Sequence, residues 1–327
     1  MRRHFSLTHS SCLTSSFSHD VLVHHNDDEL ITATQTFVEQ GLASGGIVLV
    51  HGTRQRVALM HEVLGTHPQL EYGFDEDLYQ MPTRTLFAYQ RKLAHNPEPT
   101  EVWATGTVPF GCDPATQSGW ARYESLLNEA LIAYPWHGLC TYDTRTLPES
   151  VIEAAKATHP TISTGQTSSP NPQYHDPAAF LAHPLAQPPQ PPHFPPSVVT
   201  TLTDVADLTP ARHLIKTSAR ASSALPPQAI EEFLIAVNQV ITNGLTHGAS
   251  PVHLAHWAES TTLTCQVVDS GPGTLPPLTG YRHPNTSGHH NHDAWDPMGL
   301  WAARQLVDDL IITNTPHGST SVLLTKT

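Results

Sequence analysis

The stretch Ala236-Val-Asn-Gln-Val-Ile-Thr-Asn-Gly-Leu-Thr-His-Gly248 decides how the C-terminal half folds. Phe233, Ala236, Val237, Val240, Ile241 and Leu245 recur with a period of about 3.6 residues, which marks the buried stripe of a long helix. Pro227 stands where its first turn begins and Gly248 where its C-terminal cap is expected. Gln239 and Asn243 lie one turn apart on a second face, and His247 continues that row. Such a row of amides is either a solvated polar face or the lining of a ligand cleft.

Three glycine-bearing segments downstream favour the cleft. Val267-Val-Asp-Ser-Gly-Pro-Gly273 is an apolar strand running into Asp269, then Gly271 and Gly273. Met298-Gly-Leu-Trp-Ala-Ala-Arg-Gln-Leu306 places a glycine at the opening of a second amphipathic helix, and His317-Gly-Ser-Thr-Ser-Val-Leu-Leu324 is a turn feeding a strand. One glycine motif is weak, but four segments in this order within one domain length are specific. The order resembles the GHKL ATPase fold shared by histidine kinases and gyrase, and most closely the RsbW-like anti-sigma factors, whose helix reads E-x-x-x-N-x-x-x-H-G. The resemblance implies that Asn243 ligates a magnesium ion bridging the nucleotide phosphates, a task suited to an amide oxygen. It implies that Asp269 accepts a hydrogen bond from the adenine amino group, with Gly271 and Gly273 allowing close backbone approach. Gly299 would offer its amide to phosphate at a helix N-terminus, and Ser319 and Thr320 would support Asp269. The implied cofactor is ATP or ADP with Mg2+. Two positions depart from the pattern. Gln239 replaces the catalytic glutamate, and an amide cannot take a proton at neutral pH. Pro297 replaces the first lid glycine and has no N–H for a phosphate. The expectation is a weakened nucleotide site, poor at phosphotransfer.

The chain has 327 residues, which suggests two domains, each with its own core. A net charge of -13 and the lack of a basic stripe argue against nucleic-acid binding. No apolar run is long enough to span a bilayer. The basic start is followed by a Ser/Thr-rich stretch without the apolar core of a signal peptide, so a cytoplasmic location is expected. Cys12, Cys112, Cys140 and Cys265 are scattered with no C-x-x-C pair, which indicates neither a zinc motif nor a disulfide framework. Cys140 and Cys265 read as small buried hydrophobes. The densest of the 23 histidines are His289, His290 and His292, beside Asp293 and near His283. They could bind a transition metal, but they fall where the family has its mobile lid, and the lid reading is preferred.

Residues 1–17 are polar and without periodicity, and disorder is expected there. From residue 18 to 160 strands alternate with helices. Asp20–His24 reads as a strand, Asp27 as the N-cap of a helix through Phe37 to Gly41, and Ile47–Val50 as a central parallel strand. Thr53 opens a helix toward Leu64. Val102–Ala104 and Leu139–Tyr142 read as strands, and Gly119–Ala133 and Pro148–Ala157 as helices. This is the pattern of a doubly wound parallel sheet. No phosphate loop follows any strand: His51-Gly-Thr-Arg lacks the lysine and the spacing. The residues His19-Asp-Val-Leu-Val-His-His-Asn-Asp-Asp-Glu29, Phe37-Val-Glu-Gln-Gly-Leu42, Trp120-Ala-Arg-Tyr-Glu-Ser-Leu-Leu-Asn128 and Cys140-Thr-Tyr-Asp143 resemble the MEDS sensory domain. The resemblance implies a RecA/KaiC-like sensor of small organic molecules that lacks nucleotide machinery, found upstream of anti-sigma GHKL domains in actinobacteria. His24 stands where that family usually has an aromatic. Open α/β sheets bind ligands at the carboxyl ends of their strands. His19, His24, Glu124, Tyr142 and Asp143 are therefore the expected sensor pocket. The alternative for His19 and Glu124 is a satisfied polar tie between helix and sheet.

Residues 161–196 carry a crowd of prolines and read as an extended linker with no regular structure. Residues 197–327 form the GHKL-like domain, an α/β sandwich with helices on one face of a mixed sheet. The strands expected in it are Val198–Leu202, Val252–Trp257, Thr262–Val268, Leu306–Ile312 and Ser321–Leu324. The helix Leu208–Ala221 and a lid over Leu275–Pro297 complete it. The whole reads as a cytoplasmic, anti-sigma-like regulator whose partner is a sigma factor or a STAS anti-anti-sigma factor. Two alternatives stand beside it: an active protein-serine kinase acting on the STAS partner, and a ligand-sensing scaffold that binds no nucleotide. A homodimer is left open.

Overall fold

The computed structural model describes residues 17–94, 100–273, 275–283, 297–314 and 318–327. The expected disorder of residues 1–17 falls almost wholly outside them, as do His289, His290, His292 and Asp293 of the lid.

The first domain is built from β1 (Ser18–His24), α1 (Asp27–Ala43), β2 (Ile47–Gly52), α2 (Arg54–Leu64), β3 (Leu70–Phe74), α3 (Asp75–Leu78), α4 (Pro82–Ala94), β4 (Val102–Gly106), α5 (Pro114–Ala130), β5 (Trp136–Asp143) and α6 (Glu149–Thr158). The sheet order is β3-β2-β4-β5-β1, all parallel, as the alternation of strand and helix predicts. Sequence reading misses β3, α3 and α4, whose apolar patterns are short and half-polar. The cap of α1 is Asn26 rather than Asp27: its side chain accepts from Glu29 N at 2.9 Å, and Glu29 reaches back to His25 N at 2.8 Å. Asp27 then joins the acidic first turn, where it complements the helix dipole.

The proline-rich stretch differs from the expected plain linker. β6 (Thr161–Ser163) joins the sheet parallel to β1, and β7 (Ser168–Pro170) pairs antiparallel to β6. A short helix, α7 (Pro177–Leu181), drives Phe180 to full burial among Ala121, Ala154, Ala157 and Ala186. The prolines are tolerated because of where they sit. Pro170 lies on the outermost strand, where a missing N–H costs no ladder bond, and Pro177 is at a first helical turn.

The second domain comprises β8 (Val198–Leu202), α8 (Leu208–Ser222), α9 (Pro227–His247), β9 (Val252–Ala258), β10 (Leu263–Val268), α10 (Pro297–Leu306), β11 (Asp309–Asn314) and β12 (Thr320–Lys326). Its sheet, ordered β11-β12-β10-β9-β8, is antiparallel throughout, not mixed. The expected stripe of α9 forms the centre of the core: Phe233, Ala236, Val237, Val240 and Ile241 pack with Ile215 of α8, Leu300 of α10 and the inner faces of the strands.

The two domains meet through α4 and α5 on one side and the α10–β11 region on the other. Arg122 pairs with Asp309 at 2.9 Å and Arg84 with Asp308 at 2.8 Å. Gln90 Nε2 donates to Ala130 O at 2.9 Å and to Tyr281 O at 2.7 Å, all buried. Tyr281 itself belongs to the apolar core of the first domain. A cleft of about 380 Å³ runs along this seam, lined by Leu86, Trp120, Arg122, Tyr281 and Asp308 among others. No helix among the described residues is long and apolar enough to cross a membrane.

His256 of β9 lies inside the second core, against Phe233, with its Nδ1 2.9 Å from Thr264 O. Burial lowers it from 6.5 to about 4, despite that hydrogen bond. Its folded pKa lies below the unfolded one, so the unfolded chain binds the extra proton at intermediate pH. Stability is full above pH 6.5 and is lost as pH falls toward about 4, by about 3 kcal/mol for this one group. Chemical denaturation across that window is expected to show this loss in the second domain, and His256→Gln is expected to flatten it.

Candidate functional site

Three backbone segments of the second domain converge on Asp269. The first is the end of α9. A Cβ added to Gly244 would lie 3.5 Å from Asp269 Cβ, and one on Gly248 would lie 2.7 Å from Asp269 Cγ. The bare glycines let the carboxylate lie against the helix end. The second segment is the loop after β10: Asp269 Oδ1 accepts from Gly271 N at 2.9 Å, and a Cβ on Gly271 would stand 3.0 Å from Gly248 Cα. The third is the start of β12, where Thr320 O accepts from Asp269 N at 3.1 Å. Gly273 and Gly318 close the arrangement. Both have positive φ, +60 and +87, and a Cβ on Gly273 would meet the Gly318 backbone at 2.7 Å. Only glycine permits both the φ and the approach.

Asp269 is 6 % exposed, as is Asn243. The Asn243 Nδ2 has no hydrogen-bond partner among the described residues. Buried amides are nearly always satisfied, so this group is presented to something. Gln239 lies one turn earlier on α9, half-buried, and Gly299 is buried in α10, which packs along α9. Ser319 is half-buried between Gly318 and Thr320. Asp269, Gly271 and Thr320 thus gather at the C-terminal end of α9, while Asn243 and Gln239 lie on α9 itself and Gly299 on the adjoining α10.

The residues expected as a sensor pocket divide into two places. His24 and Asp143 are register partners at the carboxyl ends of β1 and β5. His24 Nδ1 lies 3.2 Å from Asn26 O, and Asp143 is bound by Arg145, whose hydrogen bonds hold its carboxyl down at about 2. Nearby, where a phosphate loop would follow β2, the half-buried Arg56 donates to Thr141 Oγ1 at 3.1 Å and to Thr107. His19 and Glu124 lie deeper, beneath the sheet. His19 Nε2 is 3.2 Å from Glu124 Oε2. Tyr142 borders this second place through His159, with ring centroids 5.7 Å apart, and its hydroxyl has no partner among the described residues.

Sequence reasoning misses two members of the buried group. Cys140 Sγ lies 3.4 Å from His19 Nε2 and 3.5 Å from Glu124 Oε2, and His159 Nε2 lies 3.5 Å from the same oxygen. Cys140 faces the group because Trp136, Gly138, Cys140 and Tyr142 share one face of β5 by the strand period of two. His159 arrives only because β6 pairs with β1, a pairing that no local pattern announces. Burial, then the neighbouring His159, lowers the pKa of His19. Burial pushes Glu124 up, but His159 and His19 outweigh it and hold the carboxyl below its usual range. Burial raises the Cys140 thiol.

Both halves match family models. Residues 18–160 match MEDS, the methanogen/methylotroph DcmR sensory domain, and residues 202–326 match the histidine kinase-like ATPase domain. The chain is a MEDS–ATPase fusion. No match was found among curated proteins. A sensory domain joined to a histidine-kinase-like ATPase domain makes this fusion a signalling regulator. In it the MEDS domain supplies the buried His–Glu–Cys group, and the ATPase domain supplies the glycine-walled Asp269 site.

The Gly273–Gly318 contact carries the loop that shapes that site. Gly273→Ala adds a Cβ at 2.7 Å from backbone at φ +60. Thermal or denaturant unfolding of the variant is expected to show a loss of about 1–3 kcal/mol.

Proposed function

We propose that the fusion is an anti-sigma-like regulator: the MEDS domain senses a small molecule, and the ATPase domain binds a nucleotide and a protein partner. The observation that carries the nucleotide reading is the buried, unpartnered Asn243 amide, one residue before Gly244, which packs on Asp269. An amide flip presents its oxygen, the donor a magnesium ion prefers. Asp269 keeps one oxygen on Gly271 N, and its other oxygen is the acceptor available to an adenine amino group. Gly248, Gly271 and Gly273 let the loop close tightly around that carboxylate, because a Cβ on any of them would meet protein atoms at 2.6–3.0 Å. The residues present therefore fit ATP or ADP with Mg2+. Asn243 would hold the metal, and Gly271, Gly273, Ser319 and Thr320 would line the base with Asp269. Gly299 would lie under the phosphates. The bound group would supply a transferable phosphoryl.

A partner surface is supported by the outer faces of the same domain. Val199 on the edge strand β8 is 72 % exposed, and Leu214 of α8 and Ile235 of α9 are 46 % and 45 % exposed. An open strand edge and exposed apolar side chains on the helices each suit a protein partner. A sigma factor or a STAS anti-anti-sigma factor is the partner we infer.

Gln239 makes the kinase reading secondary, because an amide orients a nucleophile without taking its proton.

Calorimetric titration of the full chain with Mg·ADP and Mg·ATP is expected to show one site. Asn243→Ala or Asp269→Ala, each removing a charge-assisted contact, is expected to weaken it by roughly tenfold to hundredfold. Wild-type protein that binds neither nucleotide would overturn the reading. Gln239→Glu is expected to raise phosphotransfer to a STAS-domain substrate by at least about a hundredfold, and an unchanged rate would show that Gln239 does not limit the reaction.

A further inference from the structure

His19 of β1, Glu124 of α5, Cys140 of β5 and His159 after α6 have ligand-type atoms that all lie within 4.8 Å of one another. Nitrogen, oxygen and sulfur atoms placed roughly 2.0–2.3 Å from a common tetrahedral centre are separated by about 3.3–3.7 Å. Here the separations to Glu124 Oε2 are 3.2 Å from His19, 3.5 Å from His159 and 3.5 Å from Cys140, and Cys140 Sγ is 3.4 Å from His19 Nε2. Four of the six pairs thus have the spacing of a coordination shell, and the other two lie within 4.8 Å.

The outer hydrogen bonds decide which atoms face the centre. Asn128 Nδ2 donates to Thr158 O at 2.8 Å, which turns Asn128 Oδ1 toward His19 Nδ1 at 3.1 Å. An amide oxygen only accepts, so His19 Nδ1 carries a proton. His159 Nδ1 lies 2.7 Å from Ala155 O and carries one for the same reason. Each ring therefore turns its Nε2 toward the carboxylate. His159 Nε2 has no hydrogen-bond partner among the described residues. Two Nε2 atoms and a carboxylate oxygen at such distances are held together by a shared cation, either protons on the rings or one metal ion that meets all of them at once. The Cys140 sulfur, in contact with both His19 and Glu124, adds a soft donor once its proton is lost.

We propose that His19, Glu124, Cys140 and His159 bind a divalent transition ion of the zinc type at the centre of the MEDS domain. Two imidazoles, a thiolate and a carboxylate in tetrahedral array suit zinc, whereas magnesium and calcium call for oxygen donors. Asn128 and the Ala155 carbonyl orient the rings as outer partners do in metal sites. Binding displaces the Cys140 thiol proton to solvent, and no electron moves. A cavity of about 20 Å³ borders Glu124 and Cys140. It has room for about one water beside the ion. The site is separate from Asp269 and Asn243, so its test is independent of nucleotide binding.

Untagged full-length protein, stripped by chelation, is titrated with cobalt(II) and read by absorption, with metal content measured by mass spectrometry. The expected result is one cobalt per chain, with a thiolate-to-cobalt charge-transfer band and ligand-field bands of tetrahedral intensity, both abolished by zinc. Cys140→Ser loses the charge-transfer band. A variant carrying Cys12→Ser, Cys112→Ser and Cys265→Ala, which keeps Cys140 alone, retains it. Asn128→Ala, a change in a positioning residue, weakens cobalt binding by about 10–100-fold. Folded wild-type protein with no charge-transfer band overturns the proposal, as does a band that persists in Cys140→Ser. Should Cys140→Ser fail to fold, the variant with Cys140 alone decides: loss of its band while it remains folded assigns the signal to another thiol.

Discussion

A carboxylate in the middle of an α/β core must be compensated, and the first domain is arranged around that requirement. Glu124 sits on α5 with almost no exposure. The groups that answer it arrive from β1, β5 and the junction after α6, so the carboxylate binds the helix to three separate parts of the sheet layer. Removing one member of such a group leaves charge or lone pairs stranded in low dielectric, which costs far more than a lost surface ion pair. Trp136 and Tyr142 close off the water around it.

The second domain depends on close approach rather than charge. Its binding loop is shaped where backbones touch: Gly248 against Asp269, Gly271 against Gly248, Gly273 against Gly318. Each contact is incompatible with a side chain, so the path of the chain here is set by what is missing from it. The result is a buried carboxylate seated against the end of a helix that also carries a buried amide.

Legibility followed locality. The stripe of α9 and the approach of an apolar strand to Asp269 are patterns within a dozen residues, and both were readable from the sequence. Asn26 displaced Asp27 as the cap by one residue because both residue types suit the position and only the Glu29 back-bond distinguishes them. The His159 contact was not readable. It depends on β6, a three-residue strand inside a proline-rich stretch whose composition argues against strands altogether. Cys140 was read as a hydrophobe because strand periodicity gives its face but not its neighbours. The antiparallel order of the second sheet is legible only at β9 and β10, two alternating runs a short turn apart, because alternation within a strand does not give the direction of a more distant partner.

α5 lies between the two domains with work on both sides. Glu124 and Asn128 face the buried group, while Arg122 reaches Asp309, and Gln90 bonds the last turn of α5 and the Tyr281 carbonyl with one amide. The halves are therefore not interchangeable cassettes. Grafting this ATPase domain onto another sensor would leave Asp308, Asp309 and the Tyr281 carbonyl facing a surface that was never shaped to receive them, and a chimera would have to import α4 and α5 with it. The modular boundary that composition draws at the proline-rich stretch is a boundary in the chain, and not one in the folded molecule.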